Sequence, residues 1–167
     1  MATLLLCAAA LAGCDKSTST AAPAPATLTA VPATATAAPS AGTTFTLKGQ
    51  GSTHPDQTLE YPWKTSFTIN IAESMGVGRS ITGVSIKVQQ TSAGVVVAPT
   101  GSESEHYLYT MHASSMRIEP KGSVCVAFDP FWYWLPNGGK EALVTVTFSF
   151  LDDNNSPSSE ETALRVQ

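Results

Sequence analysis

Val144-Thr145-Val146-Thr147-Phe148-Ser149-Phe150 is the stretch that decides the fold class. Every second residue is a large apolar one, and the residues between are small and polar. In an extended strand successive side chains point to opposite faces, so this segment offers one face to a core and the other to water. The same period recurs upstream. Phe67, Ile69 and Ile71 alternate with Thr68 and Asn70, and Val84, Ile86 and Val88 alternate with Ser85 and Lys87. The pattern predicts an all-β domain.

Shorter strand candidates fill the spaces between: Phe45 to Lys48, Val95 to Ala98, Tyr107 to Met111, Met116 to Glu119, Val124 to Phe128 and Ala163 to Val166. Turn chemistry separates them, at Met75-Gly76-Val77-Gly78, Pro120-Lys121-Gly122, Pro136-Asn137-Gly138-Gly139 and Asp152-Asp153-Asn154-Asn155-Ser156-Pro157. No segment sustains a helical period. About seven to nine short strands with regular turns predict an antiparallel immunoglobulin-like β-sandwich over residues 44–167. The span from Phe67 to Val166 also resembles an uncharacterised β-sandwich module of bacterial extracytoplasmic proteins. The likeness rests on Glu73-Ser74-Met75-Gly76-Val77-Gly78, on Pro120-Lys121-Gly122-Ser123 and on a long apolar strand ending in Asp152-Asp153-Asn154. These motifs mark turns, so the resemblance implies a fold and no activity.

The N-terminal part reads differently. Leu4 to Leu11 is a short apolar run followed by Ala12-Gly13-Cys14. The run is far shorter than the roughly 20 residues that cross a bilayer, and it fits the apolar core of an export signal. Leu11-Ala12-Gly13-Cys14 resembles the lipobox of a bacterial lipoprotein. The resemblance implies that residues 1–13 are a signal peptide and that Cys14 becomes an acylated N-terminus. It implies a protein held by lipid (palmitate among the acyl chains) to a membrane of the cell envelope, facing the periplasm or the exterior. Each buried methylene contributes about 0.8 kcal/mol, so two or three chains anchor firmly where one is marginal. Residues 14–43 are nearly all Ala, Thr, Pro and Ser, with no periodic large apolar residue, and read as a disordered tether.

The whole chain carries 13% charged residues and a net charge of −4, which points away from nucleic acid as a partner. Three cysteines fall at positions 7, 14 and 125. Removing the signal and acylating Cys14 would leave Cys125 alone, and its neighbours Val124 and Val126 suggest a buried, inert thiol.

Two clusters are candidate binding sites. Phe131-Trp132-Tyr133-Trp134 is an aromatic run. In extended form Phe131 and Tyr133 would point one way and Trp132 and Trp134 the other. Either both pairs cover the open end of the sandwich, or one pair enters the core while the other stays out as a contact surface. His106, Met111, His112 and Met116 lie within eleven residues, a soft donor set of the kind Cu(I) accepts. Met111 would nevertheless share a strand face with Tyr107 and Tyr109, as core filler does. No nucleophile elbow, phosphate-cradling glycine loop or zinc-protease motif is present. The expectation is a non-catalytic binding or scaffolding module without cofactor, holding an envelope protein. The alternatives are a carbohydrate module using Trp132 and Trp134, or copper handling through Met111, His112 and Met116.

Overall fold

The computed structural model describes residues 26–47, 57–98 and 105–167; the signal segment, Cys14 and the first part of the expected tether lie outside the described residues. Within them the protein is all-β, with one turn of 3₁₀ helix at Pro136–Gly138. In the first sheet β4 (Gln57–Ala72) and β9 (Ser123–Trp134) are central, and β7 (His106–Ala113) lies beyond β9. β1 (Thr27–Val31) and β3 (Ala38–Leu47) line successive halves of the other edge of β4. The second sheet runs β2 (Thr34–Ala35), β11 (Pro157–Val166), β10 (Ala142–Asp152), β5 (Arg79–Ser92) and β6 (Val95–Val96), and β8 (Arg117–Ile118) pairs with β5. Each pairing is antiparallel except β2 with β11, which is parallel.

Alternation along β10 decides its inner face. Val144, Val146 and Phe148 are wholly buried, and Phe150 is nearly so. They join Phe67, Ile69 and Ile71 of β4 and Val126 and Phe128 of β9 in one apolar cluster, so both sheets share a core, as in a sandwich. Each such side chain contributes on the order of 2 kcal/mol by leaving water.

The structure differs from the sequence expectation at the N-terminal edge. Residues 27–47 carry the three strands β1, β2 and β3, although most of them fall in the Ala/Thr/Pro/Ser stretch expected to be a tether. Ala26, Ala30, Ala35 and Ala37 are buried, filling the core margin with methyl groups. The segment is held by its main chain: β1 pairs with Thr68 to Ala72, and β2 with Arg165 and Val166. Ladder hydrogen bonds need no apolar period, which is why composition hid them. Cys125 also differs from expectation. It is exposed, and its thiol donates to Asn70 Oδ1 at 3.1 Å. Alternation gives the core side to Val124 and Val126, so the residue between them faces out.

The resemblance motifs converge at the Ser123 end of β9. The Glu73 carboxylate is fully buried and accepts three main-chain N–H bonds, from Met75 (2.7 Å), Gly76 (2.8 Å) and Lys121 (2.9 Å). Buried Arg79 approaches it at 3.7 Å and lies over the Phe150 ring. One carboxylate thus ties the turn after β4 to the turn before β9. Outside it, Arg117 grips Asp153 with two bonds of 2.8 and 3.0 Å, while the Asp153 N–H donates to Gly78 O. A Cβ on Gly78 would lie 2.6 Å from both partners of that ion pair, so only glycine lets the pair close there.

Burial alone would raise the Glu73 pKa, but the three N–H donors and Arg79 outweigh it and hold the carboxyl below its ordinary 4.5. The unfolded chain therefore takes up this proton more readily. The stabilisation is complete above about pH 4.5 and is lost as pH falls toward the folded value. Glu73→Ala is expected to cost on the order of 3 kcal/mol in urea unfolding, because it removes the carboxylate beside Arg79 and the acceptor of three N–H groups. Melting curves between about pH 5 and pH 3 are expected to shift less with pH in Glu73→Gln than in the wild type.

Candidate aromatic binding face

β9 carries one residue more than its neighbours. Phe128 pairs with Phe67 on one side and Met111 on the other, and Phe131 pairs with Thr65 and Tyr109. Between those pairs β9 has Asp129 and Pro130, whereas β4 has only Ser66 and β7 only Thr110. This is a β-bulge, a position where proline, lacking an N–H, is tolerated. The Ser66 hydroxyl donates to Asp129 Oδ1 at 2.5 Å across it.

The extra residue changes the phase of the alternation. Before the bulge the even residues Val124, Val126 and Phe128 face the core; after it the odd residues Phe131 and Tyr133 do. Both rings are wholly buried. Tyr133 donates its hydroxyl proton to Lys140 O at 2.7 Å, and Phe131 stacks with Tyr107 and Tyr109. Trp132 and Trp134 are turned to the outer face and are half-buried.

Other rings hold the indoles in place. Phe45 meets Trp132 edge-on at 5.1 Å and Tyr61 at 5.5 Å. Tyr61 meets His106 edge-on at 5.2 Å, and His106 lies parallel to Trp134 at 4.8 Å. Five rings thus form a chain of contacts that begins and ends on the two indoles. Such offset and edge-on pairs add about 0.5–1.5 kcal/mol each beyond burial. Trp63 sits apart, packed against the core with Lys140 Nζ 5.9 Å above its ring.

The aromatic run therefore divides as its extended form requires. The His and Met residues of the soft-donor set do not form one group. His106 belongs to the ring chain, and Met111 packs on the core. His112 is exposed on the other side of the strand, and Met116 is exposed beyond the end of β7. Tyr61 was missed at the sequence level, although Leu59, Tyr61 and Trp63 alternate with Glu60 and Pro62. The proline at the middle of that stretch hid a strand that can accept it at an edge or irregularity.

This face offers two fixed indoles beside strand β7. No group of three or more His, Cys, Asp or Glu suited to a metal occurs among the described residues. Compared with known proteins, the chain matches no family model, no curated protein and no solved structure.

Burial raises the pKa of Tyr61, Tyr107 and Tyr133 above the ordinary 10.0, with the neighbouring Tyr109 adding to the effect at Tyr107. The fold favours their neutral forms, so their contribution is complete below about pH 10 and is lost as pH rises through the folded values. Phenolate absorbance is expected to develop for these three only above pH 10, together with unfolding. Tyr133→Phe removes the bond to Lys140 O and is expected to cost about 1 kcal/mol in denaturant unfolding.

Proposed function

We propose that this protein is a lipid-anchored, non-catalytic binding module of the bacterial cell envelope that holds a protein partner on the outer face of β9. The observation that carries the reading is the pair of half-buried indoles, Trp132 and Trp134, fixed outward on a sheet whose other face is core. Large rigid aromatics already held in one orientation lose little entropy on contact, and tryptophan is enriched among residues that dominate interfaces. The neighbouring strand β7 ends the sheet order, and its eight residues carry no Lys, Arg, Asp or Glu. Such an edge suits an extended segment of a partner.

An immunoglobulin-like sandwich is the finer fold assignment that goes with this proposal. In favour of it, β1-β4-β9-β7 follows the order A-B-E-D, and β2-β11-β10-β5-β6 follows A′-G-F-C-C′. The parallel pairing of β2 with the last strand agrees with it. The anchor rests on Leu11-Ala12-Gly13-Cys14, and with it the location at the envelope.

A protein is favoured over a sugar by what already covers the indoles. A pyranose stacks on a flat exposed ring, whereas His106 lies parallel to Trp134 and the Phe45 edge meets Trp132. Crosslinking the intact protein in the cells that make it is expected to yield one dominant protein, lost in a Trp132→Ala, Trp134→Ala variant. With the partner purified, each single substitution is expected to weaken binding by about 2 kcal/mol, roughly thirtyfold in Kd. Recovery of glycan without protein, or capture equal in both forms, would overturn the proposal. Cys14→Ser is expected to move the protein from the membrane fraction to the soluble one.

A further inference from the structure

At the Trp134 end of the sandwich the end of β5, the residues before β10 and the end of β11 surround a cleft of about 570 Å³. That volume suits a small molecule. In a chain of net charge −4, two cations line it, Lys140 and Arg165. No ion pair among the described residues engages either of them, or Glu141 beside them. Gln90 and Gln167 border the same space.

The cleft wall is shaped around the guanidinium. Ala93 and Gly94 form the β5–β6 turn, both at positive φ, with Gly94 at +77°. A Cβ on Gly94 would lie 2.3 Å from Arg165 Nη1, so any larger residue would displace the Arg165 head. Lys140 is positioned from the other side, its ammonium over the Trp63 ring. The guanidinium presents a planar fork that matches two oxygens of one anion, and the ammonium supplies a compact charge.

We propose that this cleft binds a small oxyanion, either a carboxylate or a phosphate ester, with Arg165 and Lys140 as its ligands. Gln90 and Gln167 supply further donors. Glu141 opposes a plain anion, so the site gains affinity when that charge is removed. The site lies apart from the indole face and does not depend on the reading given to that face.

The test uses the full chain in non-ionic detergent with Trp132→Phe and Trp134→Phe, which leaves Trp63 as the sole indole of three. Sodium succinate and sodium phosphate are titrated against sodium chloride of equal ionic strength. A saturable change in Trp63 emission with either oxyanion, absent with chloride, is expected. Which of the two acts tells a planar carboxylate from a tetrahedral phosphate. By calorimetry on the otherwise unchanged chain, Arg165→Gln and Lys140→Gln are each expected to weaken binding about tenfold or more, and Glu141→Gln to tighten it several-fold. A response equal to that of chloride, or an affinity unaltered in both cation variants, would overturn the proposal.

Discussion

The extra residue in β9 is the constraint on which the rest of the structure depends. β4 and β7 keep one alternation across their contacts with β9, and β9 alone changes phase at Asp129-Pro130. Without that change, the positions after Phe128 that face the core would be Pro130, Trp132 and Trp134, and Phe131 and Tyr133 would face water. A one-residue shift of register moves every following side chain to the opposite face. The bulge therefore does two things together. It places two rings in the core, Phe131 against Phe67 of β4 and Tyr107 of β7 and Tyr133 against Phe131, and it leaves two indoles outside. The outward placement of the indoles and the packing of the upper core are set by one local irregularity.

The two ends of β9 are built by different physics. At the Ser123 end a buried carboxylate gathers three N–H donors and a buried arginine. Taking a charge out of water is costly, and what repays it here is hydrogen bonding from backbone already fixed by the turns. Such a site specifies geometry: the turns after β4 and before β9 must meet at one point. At the Trp134 end the contacts are between rings, and these hold the two half-buried indoles in place.

The central strands were legible from the sequence because each obeys a simple alternation. Val144 to Phe150 and Phe67 to Ile71 needed only the period of a pleated strand. The edge segments were not legible. Residues 27–47 are held by main-chain bonds to β4 and β11 and bury alanine methyls, and neither feature produces a hydrophobic period. Cys125 was misread because neighbours in sequence are not neighbours in a strand; the alternation that buried Val124 and Val126 exposed the residue between them. The aromatic run could be split into inward and outward pairs from its extended form. Which pair faces in depends on where the bulge lies, and that is a property of three paired strands. His106 was visible as a soft-donor candidate, but its ring partners Tyr61 and Trp134 lie on strands distant in sequence.

The most direct test of this account is hydroxyl-radical footprinting of the intact protein, read residue by residue along β9. The account predicts oxidation at Trp132 and Trp134 and protection at Phe131 and Tyr133, with the pattern changing phase at Asp129-Pro130. Oxidation of Phe131 and Tyr133 with protection of the two indoles would place the other face inward and contradict it.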